Sequence, residues 1–522
     1  MTHRLRLRLK PEEFYDDKRL KSVLFKEIGN PVNDWRIIRH SIDSRQRQVW
    51  IDAEFEYATG DTDSLPLMRF RGEFKKVDDT SPGVVIVGSG PAGLFAALRA
   101  LELGWKPIVI ERGKPVEDRV KDIARLQKEK IVNPDSNFCF GEGGAGTFSD
   151  GKLFTRSKKR GNVQEILELL HYHGAREEIL YNAHPHIGSD KLPKVIKSIR
   201  ETIIQNGGEI YFNTKMKELI IKDGTVAGII TDDGRRFYGD VILATGHSAR
   251  DVYEYLNNLG VSLEQKGFAM GVRLEHPQEV IDRMVYHNKE GKGRWLPPAE
   301  YKLATQIDGR GVYSFCMCPG GVIVPAVTEE GELVVNGMSA SGRSGRWANS
   351  GMVVEIRPED FPEYSKRGAL GLLELQKDIE KKFFEKSRSI EAPAQRMKDF
   401  VEEKMSESLP RTSYVPGIFP ADINSLLPKQ IGKRLKKGLE LLGYKNKGFL
   451  TNDAVLVGLE SRTSTPVRIP RDTEKLHHPE MTGLYPAGEG AGYAGGIVSA
   501  AIDGRRAMDA VANNRKLTDN SD

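Results

Sequence analysis

The run Gly88-Ser-Gly-Pro-Ala-Gly93 constrains this chain more than any other. It follows an all-β-branched stretch, Val84-Val-Ile-Val87, and opens a helix-forming stretch that reaches about Leu103. A second strand, Pro107-Ile-Val-Ile-Glu111, follows after Gly104. Each glycine has a physical task at this spacing. Gly88 allows the tight turn, Gly90 lets a pyrophosphate approach the backbone, and Gly93 lets helix and strand pack closely. The helix start at Pro91-Ala92 offers unpaired N–H groups and partial positive charge to phosphate oxygens. Glu111 stands 23 residues after Gly88. At the end of the second strand its carboxylate would accept hydrogen bonds from ribose hydroxyls. The pattern predicts a dinucleotide site at Gly88, Ser89, Gly90, Pro91, Ala92, Gly93, Glu111 and Arg112.

The chain has 522 residues, enough for about three domains. Glycine accounts for 53 of them, and many of these fall into a few tight clusters. The formal charge of +5, from 78 basic and 73 acidic residues, is small for this length and argues against a nucleic-acid coat protein or a strongly basic membrane binder. Met1–Lys10 alternates leucine with charge and reads as a strand, not as a secretory signal. No run of 18 apolar residues is present, so no transmembrane helix is expected. Three cysteines cannot make a disulfide framework, and the expected address is the cytoplasm.

Residues 1–76 read as a small α+β domain of βαββ order, ferredoxin-like in outline, with 77–83 as a linker. Residues 84–250 carry the dinucleotide unit, two helices and a strand meander broken by Asp223-Gly224 and Asp233-Gly234, which are hairpin signals. The meander leads into Asp240-Val-Ile-Leu-Ala244 and the turn Thr245-Gly246. Residues 251–450 mix strands with a long charged helix (Tyr364–Phe384) and a basic segment (Lys429–Leu442), and are expected to form a cap or substrate domain. Residues 451–512 return to strand, glycine loop and helix, followed by a polar tail after Asn513.

Other residues carry candidate chemistry. Cys316-Met-Cys-Pro-Gly-Gly321 holds a C-x-C, too little for a structural zinc site without further ligands. It reads as a pair of buried thiols, with a redox dithiol as the alternative. If the segment is extended, the two residues are too far apart for a relaxed disulfide without a sharp turn. Cys139 precedes the middle glycine cluster. His247 follows the Thr245-Gly246 turn, and His184 and His186 flank Pro185. Cys316, Cys318 and His247 are the catalytic candidates, and no metal site is expected. Arg343, Arg346 and Asn349 are candidates for an anionic substrate. The basic run Lys429–Gly438 reads as the solvated face of a helix.

Three further segments carry a family resemblance: Ile242-Leu-Ala-Thr-Gly246, Gly483-Leu-Tyr-Pro-Ala-Gly-Glu-Gly-Ala-Gly492 and Ala494-Gly-Gly-Ile-Val-Ser-Ala-Ala-Ile-Asp-Gly504. They resemble the large FAD family that includes p-hydroxybenzoate hydroxylase and glutathione reductase. The resemblance implies FAD rather than a stably bound nicotinamide, with Met216, Ala244, Thr245 and Gly246 near the dinucleotide. It also implies that Gly488-Glu489 stands where glycine-aspartate holds the ribityl chain, here with a longer arm. Gly495, Gly496 and Ile497 would open a helix aimed at the flavin. Gly143-Gly-Ala-Gly-Thr-Phe-Ser-Asp-Gly-Lys-Leu153, with Cys316–Gly321 and Gly345–Ser350, resembles a bacterial family of FAD-dependent or NAD-utilising dehydrogenases. Gly144, Gly146, Thr147, Ser149 and Lys152 are expected to approach the flavin or pyrophosphate.

The expected fold is therefore α/β: a Rossmann-like FAD-binding domain, an inserted cap domain and a small N-terminal α+β domain. The implied activity is an FAD-dependent oxidoreductase passing hydride or electrons through flavin N5, with NAD(P)H visiting transiently and a small molecule as substrate or acceptor. A tRNA-modifying flavoprotein, like the glucose-inhibited-division family, and a non-enzymatic flavin-binding sensor are the alternatives. The near-neutral charge disfavours the first.

Overall fold

The computed structural model describes residues 2–29, 34–58, 65, 70–155 and 161–519. No helix among them is long and apolar enough to cross a membrane.

The N-terminal unit is a three-stranded antiparallel sheet in which Trp50–Ala58 lies between Thr2–Leu9 and Asp34–Asp43. That order and those senses match the first three strands of a ferredoxin-like sheet. A fourth strand and a second helix have no counterpart among the described residues. One face of the sheet buries Leu9, Ile51, Ala53 and Phe55 against Phe14, Leu20 and Leu24. The helical stretch divides into Pro11–Phe14 and Asp17–Ile28 because Asp16 accepts hydrogen bonds from the amides of Lys18 and Arg19 and so restarts the helix. Of the run from 59 to 69 that joins this unit to residue 70, only residue 65 is described.

The second layer is a five-stranded parallel sheet, ordered Leu484–Pro486, Asp240–Leu243, Gly83–Val87, Lys106–Ile110, Glu209–Tyr211. Val84 to Val87 are all buried, as expected for a strand covered on both faces. Two helices, Pro91–Leu103 and Ile497–Asp519, pack closely on one face, and Gly504 makes the approach possible: a Cβ there would lie 1.9 Å from the carbonyl oxygen of Ala92. The meander Met216–Lys222, Thr225–Thr231, Arg236–Tyr238 forms its own antiparallel sheet, and its hairpins turn where the glycine pairs stand. The last helix runs through the polar tail to Asp519, and residues 520–522 lie outside the described residues.

The third layer is a seven-stranded sheet containing Phe268–Pro277, Arg310–Cys318 and Trp347–Ile356, backed by the helices Gly371–Glu385 and Lys429–Lys445. Three sequence expectations need correction here. Val455–Glu460 pairs with Phe268–Pro277 and Ala392–Arg396, so it belongs to the cap sheet and not to the returning dinucleotide segment. An all-buried strand does not reveal from its own residues which sheet it enters. The helix Arg250–Asn258, placed with the cap, buries Val252, Tyr253 and Leu256 against Val85, Val87 and Leu243 of the parallel sheet. The long charged helix is broken: Pro362–Ser365 ends before Gly368 in a left-handed conformation (φ +96°), and Gly371–Glu385 begins anew. The basic helix Lys429–Lys445 buries Ile431, Leu435, Leu439 and Leu442.

Candidate functional site

The turn after Gly83–Val87 behaves as its spacing predicts. Gly88 has φ +102°, and a Cβ there would lie 2.4 Å from the carbonyl oxygen of Ala244. A Cβ at Gly93 would meet the carbonyl oxygen of Gly88 at 1.8 Å. Gly90, by contrast, has an ordinary extended backbone, and nothing lies closer to its Cβ position than the Gly144 Cα at 3.8 Å. The first two glycines are needed by the fold, whereas Gly90 leaves its space open to the cavity in front of the helix.

Glu111 ties this turn to its surroundings. One carboxylate oxygen accepts from the Ser89 amide (2.9 Å) and hydroxyl (2.8 Å). The other accepts from the amides of Gly113 (2.9 Å) and Gly141 (3.2 Å). Four donors occupy a group with about four lone-pair sites, so a ribose hydroxyl would share one of them. Ser89 is fully buried and acts through Glu111. Arg112 pairs with Asp251 at 3.0 Å and lies over the Phe140 ring, with both Arg112 and Phe140 on the cavity wall.

The middle glycine cluster folds back over the turn. The Gly143 amide donates to the Ser89 carbonyl at 2.9 Å, and Gly144 (φ +63°) leaves a Cβ position only 3.1 Å from the Gly90 Cα. Gly144, Gly146 and Ser149 line the cavity. Thr147 does not: it is fully buried and its hydroxyl donates to the Glu142 carbonyl, so the expectation that it reaches the cofactor is corrected by its own hydrogen bond. Gly93 is likewise absent from the wall, because it serves packing. Lys152 lines the cavity, but at the cap, where it pairs with Asp150 at 2.8 Å and donates to the Met317 carbonyl.

The third segment closes the opposite side. Gly488 is held by Asp503, whose carboxylate accepts its amide at 2.8 Å and pairs with buried Arg471 at 2.6 Å. At Gly246, Gly495 and Gly496, beyond their chain neighbours, no atom lies within 4 Å of a Cβ position. These three form an open cradle before the helix Ile497–Asp519. Burial pushes the Glu489 carboxyl up to about 7, against the Gly496 amide and Lys266. His247 Nε2 stands 3.8 Å from that carboxyl. Burial, then Arg462 and Arg250, lower the His247 imidazole to about 4, so it is neutral at physiological pH. Met216, Ala244, Thr245 and Ile497 also lie on the wall.

All these walls enclose one cavity of about 530 Å³, within the usual size of cofactor pockets. Its cap end is lined by residues the sequence reading missed: Glu300, Tyr301, Lys302, Phe315, Met317 and Asn336, with Arg462 and Thr463 nearby. Glu300, Tyr301 and Lys302 come from an irregular segment, whereas Phe315 and Met317 lie on the strand Arg310–Cys318 and Asn336 on Val335–Met338, where the sequence pattern marks a strand but not which side chains face a cavity. Arg343 reaches this end but is held by Asp150 (2.6 Å) and Glu300 (3.4 Å). Arg346 is not on the wall, and Asn349 is buried, accepting from Arg273 at 2.9 Å. The expected trio of anion binders is therefore not assembled, because strand pairing turns Asn349 into the sheet. His184 pairs with Glu300, whereas His186 bonds to the Ser341 carbonyl at 3.2 Å, off the wall. Cys139, Cys316 and Cys318 all reach the wall.

An open phosphate approach at Gly90, an acid at the ribose position and a glycine cradle before a second helix fit a flavin dinucleotide, and this arrangement defines the class of FAD-binding proteins. Residues 83–118 match the FAD binding domain family. Residues 267–463 match the family described as FAD-dependent protein, C-terminal domain-like, and residues 1–57 match a domain of unknown function, DUF8436. An uncharacterised protein of Clostridium beijerinckii is 41% identical over 489 residues, covering 90% of each chain. The chain belongs to this family of FAD-dependent proteins. Among solved structures, it is similar to a geranylgeranyl bacteriochlorophyll reductase-like protein of Thermoplasma acidophilum (13% identity, 85% of this chain and 80% of that one, TM-score 0.35). It is similar also to the flavin-dependent brominase Bmp2 (13% identity, 84% and 79%, TM-score 0.36). Likenesses this distant say nothing about substrate.

Proposed function

We propose that the protein passes hydride or electrons between bound FAD and a small substrate or acceptor held at the cap end of the cavity. One observation carries this reading: a single cavity runs from the Gly90 turn to the cap wall of Lys152, Glu300 and Phe315. Bound FAD supplies two-electron chemistry at N5. The chain supplies the rest. The first-turn amides after Gly90 would hold the pyrophosphate, Glu111 would orient the ribose, and Glu489, beside the Gly495-Gly496 cradle, would hold the ribityl chain. At the cap end, cations and carboxylates are already matched along His184–Glu300–Arg343–Asp150–Lys152. Recognition there rests on directed hydrogen bonds more than on net charge.

A single dinucleotide fingerprint supports transient use of NADH or NADPH. The modest net charge speaks against a nucleic-acid partner, and three free cysteines accord with a cytoplasmic address. The test is spectroscopic. Purified protein is expected to be yellow with about one FAD per chain, to bleach when NADH or NADPH is added anaerobically, and to retain no nicotinamide after gel filtration. Protein without flavin would refute the reading. Stoichiometric retention of NAD(P) would refute the transient visit.

A further inference from the structure

The Cys316/Cys318 pair has a geometry that an extended strand would not give it. In the ladder with Trp347–Ile356, Phe315 pairs with Gly351 and Cys318 with Asn349. Cys316 and Met317 together therefore oppose Ser350 alone, which is a β-bulge. Cys316 sits in the left-handed region at φ +43°, where a residue with a side chain is uncommon. An extended i, i+2 pair lies near the upper limit for a disulfide, and a bulge shortens that rise. The strand is therefore not extended between the two cysteines, as a relaxed disulfide would require.

The surroundings are equally specific. Cys316 opens onto the cavity, and Cys318 lies on the wall behind it with 1% exposure. Cys318 donates its S–H toward the Cys316 carbonyl at 3.3 Å. The buried guanidinium of Arg273 donates to that same carbonyl at 2.8 Å and lies 3.4 Å from the Cys318 sulfur. Lys152 binds the Met317 carbonyl between the two cysteines. Two cations therefore clamp a strained loop that carries two thiols into the space where a flavin substrate or acceptor would bind. Strain held in place by such partners marks functional loops. Among the described residues no three metal-ligating side chains converge, so a metal cluster does not explain the arrangement.

We propose that Cys316 and Cys318 form a redox-active dithiol that exchanges two electrons with FAD bound in this cavity; the proposal rests on the oxidoreductase reading above. In the oxidising direction both S–H bonds break and one S–S bond forms. Each sulfur gives up one electron and one proton. The flavin takes both electrons with one proton at N5, and the second proton leaves to solvent. Run in reverse, reduced flavin opens the disulfide. Burial against the cap wall pushes the Cys316 thiol up to about 12 against the pull of Lys152 and Arg273, so its proton leaves with its electron.

The test uses the full-length, FAD-loaded, air-oxidised protein under anaerobic dithionite titration. Wild type is expected to take up about four electrons per flavin, against about two for Cys316→Ser and for Cys318→Ser. The segment Gly311–Arg343, which contains both cysteines, should resist alkylation before reduction and be alkylated at both cysteines afterwards. Uptake of about two electrons by wild type, or full alkylation of both cysteines before reduction, would overturn the proposal, and neither outcome depends on the variants folding. Electrons are counted against measured flavin, so failure of FAD binding would appear as a missing flavin spectrum and is distinct from a failed thiol count.

Discussion

Replacing Gly90 with alanine separates cofactor binding from folding. The backbone there (φ −72°, ψ −176°) suits any L-residue, and the new methyl would find its nearest protein atom at 3.8 Å, an ordinary contact. As the residue before the helix Pro91–Leu103, glycine is the better cap, so alanine costs roughly 0.5–1 kcal/mol. The reduced freedom of the unfolded chain returns about 0.4–1 kcal/mol. Apoprotein stability should therefore change by less than about 0.5 kcal/mol. The methyl, however, fills the space a phosphate must enter. Losing two amide-to-phosphate hydrogen bonds, each worth ~1.5–3 kcal/mol, weakens FAD by ~3–6 kcal/mol, or about 10²–10⁴-fold in Kd. Flavin fluorescence titration gives Kd, and thermal unfolding of the apoprotein gives stability. Gly93→Ala is the contrast: its Cβ has no room beside the Gly88 carbonyl, so stability and flavin should fall together. A Gly90→Ala protein with wild-type flavin content and unchanged Kd would refute this placement of the pyrophosphate.

Two further predictions follow from the same geometry. Gly504→Ala should destabilise the protein by about 1–3 kcal/mol by forcing apart two packed helices, whereas Gly495→Ala, with open space around it, should leave stability unchanged and weaken FAD; thermal unfolding and flavin titration distinguish them. The Glu489 carboxyl, raised in the folded protein to about 7, contributes stability that is fully present below the ordinary glutamate value and is lost as pH rises through 7. Apoprotein stability should therefore fall between pH 5 and 8 by up to ~3 kcal/mol more in wild type than in Glu489→Gln, and parallel pH profiles would show that the carboxyl titrates normally.

The dinucleotide unit was legible because its chemistry is local. Gly88, Gly90, Gly93 and Glu111 lie within one strand–turn–helix–strand run, where backbone geometry dictates residue type at each step. The hairpin glycines were legible for the same reason. The cap end of the cavity was not. Glu300, Phe315, Asn336 and Arg462 come from four segments that meet only in the assembled cap, and apart from the cysteines beside Phe315 nothing in their neighbours marks the meeting. Thr147 and Asn349 show the converse: residue types suited to binding are consumed by a carbonyl and a guanidinium that tertiary packing brings beside them. The cysteine pair shows the division most clearly. Its i, i+2 spacing is written in the sequence, but whether two sulfurs can meet depends on a bulge set by the register of a partner strand more than thirty residues away. Short-range sterics are encoded residue by residue, whereas register and burial belong to the assembled fold.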